Sequence, residues 1–124
     1  MTILDQYLIK ELTKDLNLFR RNFPQWPQGL CNYVALELEK RYDFKRIRGF
    51  FIADSVDPNN GLYNLFLHSF VKDENEIYID LTACQFNPYL NEPLQDKVLI
   101  IDEKHPLRWR YKENQFRVQD FIVI

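Results

Sequence analysis

Residues 23–31 constrain the fold of this chain most strongly, because they separate two helix patterns and cannot themselves be helical. The stretch reads Phe-Pro-Gln-Trp-Pro-Gln-Gly-Leu-Cys, with two prolines that fix the backbone and remove amide donors. We interpret it as a stiff connection that presents the Cys31 thiol from the N-terminus of the second helix. The alternative is a stiff loop ahead of an ordinary core helix, with Cys31 as a small buried apolar residue.

Two amphipathic helices are predicted on either side of this stretch. Residues 2–22 carry apolar side chains at three- and four-residue steps, with Thr2 as N-cap and Pro24 preventing continuation. The second helix is predicted from about residue 30 to residue 41. Its apolar stripe consists of Cys31, Val34, Ala35, Leu38 and Tyr42. Cys31 is therefore predicted in the first turn, on the inward face.

The remainder of the chain has the alternation and turn residues of an antiparallel sheet. Strands are predicted at residues 45–53, 65–72, 76–82, 97–102, 107–112 and 116–124. Loops are predicted at 56–64 and 83–96, and Gly49 indicates a bulge or a close neighbour within the first strand. The predicted fold class is α+β, in one domain over residues 1–124. Two N-terminal helices pack on a curved antiparallel sheet of about five or six strands.

A hairpin in the middle of the sheet brings two polar residues together. If residues 73–75 form a three-residue loop, the register pairs Lys72 with Glu76, Phe70 with Tyr78, and His68 with Asp80. The first pair is opposite in charge and the second is aromatic, as cross-strand neighbours prefer. The third places an imidazole opposite a carboxylate, with Cβ atoms about 5 Å apart. Asn75 is predicted to take the left-handed position that such a loop needs.

Cys31, His68 and Asp80 are the residue types of a thiol acyl-transfer site. The thiolate attacks a carbonyl carbon, the histidine passes a proton to the leaving amine, and the aspartate orients the imidazole. A helix N-terminus favours the thiolate and stabilises an oxyanion. We expect the Cys31 N–H to be one oxyanion donor and Gln25 or Gln28 to supply a second. The alternative is a satisfied half-buried histidine beside an aspartate that serves a strand end.

Three motifs carry a resemblance to a known family. They are Pro-x-Gly-x-Cys at residues 27–31, His-Ser-Phe-Val from His68, and Asp-x-Thr-x-x-Gln-Phe from Asp80. Over residues 23–86 the chain resembles the papain-like cysteine-hydrolase superfamily in its transglutaminase-like branch, particularly small bacterial proteins of this layout. The resemblance implies a Cys31 helix packed on an antiparallel sheet that carries His68 and Asp80 as catalytic residues. The family includes proteases, amidases, deamidases, acyltransferases and crosslinking enzymes.

The resemblance also bears on the residues around the predicted triad. Gln25 lies six positions before Cys31, where papain-like enzymes have a glutamine that lends an oxyanion donor. The larger transglutaminases have a tryptophan beside the cysteine, whereas Asn32 follows Cys31 here. We expect Asn32 to line the pocket, and Gln85 either to line it or to cap a loop. Trp26 is expected to form a wall of the pocket or an anchor for its loop.

We therefore predict a cysteine-dependent hydrolase or acyltransferase that acts on an amide, peptide or glutamine carboxamide through a thioester. The expected substrate is a protein or peptide, and no cofactor is expected. One alternative is a non-catalytic protein-binding module on the same scaffold, in a bacterial conflict or phage setting. Another is a thiol redox switch between Cys31 and Cys84. Cys84 could also support the site or bind a metal, but without a Cys-x-x-Cys motif we predict no metal site.

Composition and charge argue against a nucleic-acid-binding, membrane-spanning or secreted protein. The 124 residues carry a net charge of −2 with acids and bases interleaved, so no basic stripe indicates a nucleic-acid partner. No apolar run is long enough for a membrane span, and the N-terminus lacks the layout of a signal peptide. Two cysteines without a signal peptide favour a reducing, cytoplasmic setting.

Overall fold

The computed structural model describes residues 6–55 and 64–113 of the chain. Both predicted helices are present: α1 spans Gln6–Asn22 and α2 spans Cys31–Arg41. The predicted N-cap Thr2 lies outside the described residues. Among the helices in the described ranges, none is long and apolar enough to cross a bilayer.

Within residues 6–55 and 64–113, five strands form one curled antiparallel sheet. They are β1 (Lys45–Ile52), β2 (Leu65–Lys72), β3 (Tyr78–Asp80), β4 (Leu99–Ile101) and β5 (Tyr111–Lys112). Their order in the sheet is β4-β3-β2-β1-β5. The predicted α+β class, with two N-terminal helices and an antiparallel sheet, is confirmed.

Local predictions differ from the structure in two segments. The predicted loop at 83–96 begins with the 3₁₀ segment Ala83–Tyr89, and the predicted strand at 107–112 is a 3₁₀ segment, Arg108–Arg110, followed by the short β5. Both segments are only one or two turns long, and such short stretches have no distinctive periodicity. The predicted strand at 116–124 and most of the predicted loop at 56–64 lie outside the described residues.

The sheet is covered on both faces, which explains why consecutive residues of β2 and β3 are buried. Helices α1 and α2 pack on one face, in a cluster with Val71, Ile79 and Leu81. The opposite face carries a second, aromatic cluster that includes Phe51, Phe70 and Tyr111. The period-two pattern of a strand sends adjacent residues to these different cores.

The register predicted for the β2–β3 hairpin is wrong by two residues. The observed partners are Val71 with Ile79 and Lys72 with Tyr78. The loop has the predicted length of three residues but lies one position later, at 74–76, because Asp73 N–H donates to Ile77 O at 3.0 Å and closes it. The left-handed residue is Glu76, with φ 65°, and not Asn75.

The Asp73 side chain explains where this turn forms. Its Oδ1 accepts the backbone N–H of Asn75 at 2.8 Å and of Ile77 at 2.9 Å. This capping favours a turn that begins at Asp73. A shift of two residues leaves every side chain on its predicted face. His68 and Asp80 therefore still share a face, as diagonal neighbours rather than a directly opposed pair.

The shortness of β3 makes room for the start of α2. In the described ladder β3 pairs only with Val71 and Lys72 of β2. Ahead of Val71, β2 has no strand partner on that side within the described residues, and the backbone N–H of Ser69 donates to the sulfur of Cys31 instead. The first residue of α2 thus lies where the ladder between β2 and β3 ends.

Candidate functional site

His68 and Asp80 form a buried ion pair on the aromatic face of the sheet. His68 Nε2 lies 2.6 Å from Asp80 Oδ2, and the two side chains are 0% and 1% exposed. Three further hydrogen bonds reach the carboxylate: Tyr111 OH donates to Oδ2 at 2.7 Å, and the Thr82 backbone N–H and hydroxyl donate to Oδ1 at 2.9 and 3.3 Å. A carboxylate with this many donors is held in one orientation and in its ionised form.

The ion pair shifts the pKa values of its two members in opposite directions. Burial alone raises the pKa of Asp80, but the charge and hydrogen bond of His68, with the Tyr111 and Thr82 donors, lower it below its ordinary value. Burial alone lowers the pKa of His68, but the charge and hydrogen bond of Asp80, with a smaller effect from Cys31, raise it to about 9. At neutral pH His68 is therefore an imidazolium with an N–H on both ring nitrogens.

Cys31 occupies the other side of the imidazole. Burial raises the pKa of this thiol, but the hydrogen bond and charge of His68 and the Ser69 N–H outweigh burial, so the net shift is downward. Since Nε2 is taken by Asp80, the ring nitrogen left for the sulfur is Nδ1. The three side chains predicted from the sequence are thus brought together in series, in the order Cys31, His68, Asp80.

The imidazole is enclosed, whereas the thiol lines a cleft at the surface. The rings around His68 belong to Phe51, Phe70, Phe86 and Tyr111. Cys31 is half-buried and belongs to a cleft of about 180 Å³ lined by Cys31, Asn32, Arg48, Gly49, Leu67, His68 and Ser69. A neighbouring pocket of about 540 Å³ is lined by Gln28, Leu65, Phe66, Leu67, Gln85, Phe86 and Tyr89. Leu67 borders both cavities and is 79% exposed.

The two glutamines of the residue 23–31 stretch have different positions. Gln25 is exposed, and its backbone oxygen accepts the N–H of Gln28 at 2.9 Å. Gln28 lines the larger pocket, and its Nε2 donates to the backbone oxygen of Gln85 at 3.1 Å. The Gln85 side-chain Nε2 lies 3.5 Å from His68 Nδ1. Gln28 and Gln85 therefore border the site together.

Asn32 lies at the cleft, whereas Trp26 anchors its loop from below. The Asn32 Oδ1 accepts from Ser69 Oγ at 3.1 Å and from Arg46 Nη1 at 3.2 Å. The Trp26 ring stacks on Phe19 with centroids 6.1 Å apart, and its Nε1 donates to the Asp96 carboxylate at 3.2 Å. Trp26 packs against the helix core, and it is not among the lining residues of either cavity.

Cys84 has a different environment from Cys31. Burial, followed by the nearby charge of Asp96 and Asp80, raises the pKa of the Cys84 thiol to about 12, and the thiol also hydrogen-bonds Asp96. Both cysteines are free thiols. Within residues 6–55 and 64–113, no three His, Cys, Asp or Glu side chains are grouped so that they could hold a metal ion.

Sequence reasoning missed the two residues that complete the hydrogen bonding of Asp80. Thr82 follows Asp80 at a spacing typical of a side-chain turn, so its role had a local signal. Tyr111 had no local sequence signal, because it reaches Asp80 only through the pairing of β5 with β1. In that pairing Tyr111 lies opposite Phe51. Gly49 allows this arrangement: a Cβ there would lie 2.0 Å from the backbone oxygen of Lys112. The predicted close neighbour of Gly49 is thus β5 itself.

Comparisons with protein-family models, with curated proteins and with solved structures found no match to this chain. The chemistry of the site is therefore argued from its own geometry. What that geometry offers is a half-buried thiol with a lowered pKa, in contact with an imidazolium that a buried carboxylate orients.

Proposed function

We propose that this protein is a cysteine-dependent hydrolase or acyltransferase that acts on an amide or carboxamide through a thioester. Cys31 is the nucleophile, His68 the general acid and base, and Asp80 the residue that orients the imidazole. The observation that carries the proposal is the series of contacts from the Cys31 thiol through His68 to Asp80, with Nε2 and Oδ2 2.6 Å apart. The papain-like, transglutaminase-like resemblance of the sequence is consistent with it and is part of the proposal.

The reaction follows from the protonation states. The Cys31 thiolate attacks the carbonyl carbon, and the π electrons move to the oxygen. When the tetrahedral intermediate collapses, the C–N bond breaks and His68 gives its Nδ1 proton to the departing amine. Neutral His68 then accepts a proton from water or from an acceptor amine that attacks the thioester. Collapse of the second intermediate releases the product and restores the thiolate beside the imidazolium.

The start of α2 supplies donors for the oxyanion. Leu30 is its N-cap and makes no side-chain hydrogen bond, so the first N–H groups of the helix are left uncapped within the described residues. The Cys31 N–H belongs to this turn and serves as one donor. The Asn32 amide oxygen already accepts two hydrogen bonds, and its NH₂ group has no partner among the described residues. Asn32, or Gln28 from the adjoining pocket, supplies the second donor.

Two observations favour this proposal over the alternatives. A pure binding module has no need of a thiol with a lowered pKa, and here that thiol lines a surface cleft instead of being sealed by the aromatic rings around His68. In a redox switch Cys84 would have to attack an oxidised Cys31 as a thiolate, but the pKa of Cys84 is raised to about 12.

The test is acyl-enzyme formation from a p-nitrophenyl ester and from a glutamine-containing peptide, followed by intact mass and peptide mapping. We expect a burst of p-nitrophenol and an acyl adduct on Cys31. Cys31→Ala abolishes both, whereas the matched control Cys84→Ala retains them. Equal acylation of Cys31→Ala and wild type, or an adduct on Cys84 alone, would contradict the proposal.

A further inference from the structure

One residue of the cleft beside Cys31 has no structural explanation so far. Arg48 lines the same 180 Å³ cleft as Cys31, and its side chain is exposed. Among the residues that the structure describes, it makes no hydrogen bond, ion pair or cation–π contact. By contrast, Arg46, two positions earlier on β1, hydrogen-bonds Asn32. Arg48 thus presents a guanidinium to the cleft that no described acid neutralises.

The surroundings of Arg48 strengthen its positive field. Arg46 lies on the same face of β1, because residues two apart in a strand point the same way. The acid nearest to this pair in the hydrogen-bond network is Glu39, whose carboxylate accepts the Arg46 backbone N–H at 2.8 Å. His68, which lines the same cleft, adds an imidazolium. Among the residues that the structure describes, no aspartate or glutamate lines this cleft.

We infer that Arg48 determines specificity for an acidic substrate, in which a carboxylate lies next to the carbonyl that Cys31 attacks. This inference rests on the proposed function, since it assigns a substrate class to that same cleft. A guanidinium binds a carboxylate through two parallel N–H donors, so the preferred partner is a glutamate or aspartate side chain. The substrate is then an acidic peptide segment that lies across Leu67, the residue that borders both cavities.

A pair of small alkylating reagents tests the charge preference at the thiol itself. Iodoacetate and iodoacetamide share size and leaving group and differ in charge, so the ratio of their rates at Cys31 measures the local field. We expect Arg48→Gln to lower the iodoacetate-to-iodoacetamide ratio about threefold, the effect of one unit charge several ångströms away across water. Arg48→Glu lowers it further, and about 0.5 M salt reduces both differences. The control Arg21→Gln removes an exposed arginine of α1 and leaves the ratio unchanged.

A second arm uses peptides that protect Cys31 from iodoacetamide. A glutamine peptide with flanking glutamates protects wild type at several-fold lower concentration than its glutamine-only counterpart, and Arg48→Gln removes the difference. If Arg48→Gln leaves both the rate ratio and the protection unchanged, the inferred specificity is wrong while the proposed function stands. If Cys31 reacts with both reagents like an ordinary thiol, the proposed function is contradicted, and the ratio still reports whether Arg48 selects for anions.

Discussion

His68 and Tyr111 bind the same atom, Oδ2 of Asp80, at 2.6 and 2.7 Å. The imidazole thereby receives both an orientation and a fixed counter-charge. The phenol also makes Asp80 a poorer proton acceptor, because a carboxylate oxygen with two donors is stabilised in its ionised form. The proton consequently stays on His68, where the proposed chemistry uses it.

The thiol pKa provides the most direct test of the Cys31–His68 contact. In His68→Ala the contributions that lower the pKa of Cys31 are reduced to the Ser69 N–H, while burial still raises it. We expect the pH midpoint of iodoacetamide labelling to rise, with the thiolate fraction at pH 7 falling about tenfold for each unit by which the pKa exceeds 7. His105→Ala, which removes the second histidine, keeps the wild-type midpoint. An unchanged midpoint in His68→Ala would rule out a thiolate–imidazolium pair.

The His68–Asp80 pair gives the stability of the protein a defined pH dependence. His68 has a folded-state pKa of about 9 against an ordinary value of 6.5, so its contribution is complete below about pH 6.5 and is lost as the pH rises through 9. Asp80 has a lowered pKa, so its contribution is present above its ordinary value of 3.8 and is lost as the pH falls further.

Urea unfolding of wild type and Asp80→Asn across pH measures this dependence. We expect the free-energy difference between them to be largest between about pH 4 and 6.5 and to shrink up to about pH 9. A difference that stays constant from pH 6.5 to 9 would show that His68 is neutral in the folded state over that range.

Tyr111→Phe isolates the hydroxyl that sequence reasoning missed. The ring stays in the aromatic cluster, but Asp80 loses one buried donor, so we expect a loss of about 2 kcal/mol in the free energy of unfolding. The pH profile of Cys31 alkylation should also shift, since the Asp80–His68 pair is perturbed. Tyr33→Phe, which alters a side chain that is 44% exposed, serves as the control and should change neither quantity. A Tyr111→Phe protein that matches wild type in stability would refute this role.

Two glycine substitutions separate crowding from backbone strain. In Gly49→Ala the new Cβ lies 2.0 Å from the backbone oxygen of Lys112, so β5 has to move away from β1. We expect a loss of about 3 kcal/mol in stability and slower alkylation of Cys31. Gly29→Ala meets nothing within 4 Å but keeps a φ of 74°, so it should cost only about 1–2 kcal/mol. Thermal unfolding compares the two; an equal cost would mean that β1 and β5 do not approach this closely.

Asp96→Asn tests why Cys84 is inert. The charge and hydrogen bond of Asp96 help to raise the pKa of Cys84 to about 12. The amide carries no charge, so we expect the pKa of Cys84 to fall and its alkylation at pH 9 to become faster, with Cys31 as the internal reference in the same mass spectrum. No change at Cys84 would mean that burial and the charge of Asp80 set its pKa without Asp96.

The sequence was sufficient for the parts of the site that depend on periodicity. The helix stripe placed Cys31 in the first turn of α2, and strand parity placed His68 and Asp80 on one face. The predicted faces of the side chains stayed correct although the turn was misplaced, because a loop displaced by one residue moves the register by two. Periodicity carries no information on which distant strands pair, so Tyr111 was missed. Periodicity also could not decide between Gln25 and Gln28, because that choice depends on how an irregular loop packs.

The hydrogen bond between Tyr111 and Asp80 also bears on the order in which the site forms during synthesis. The two residues are 31 positions apart, and a ribosome adds roughly 5–20 residues per second. For a few seconds the emerging polypeptide therefore contains the cysteine, the histidine and the aspartate but lacks the phenol and the strand that carries it. The Asp80 carboxylate acquires its full set of hydrogen-bond donors only after residue 111 has left the exit tunnel, when β1 to β4 have already been synthesised.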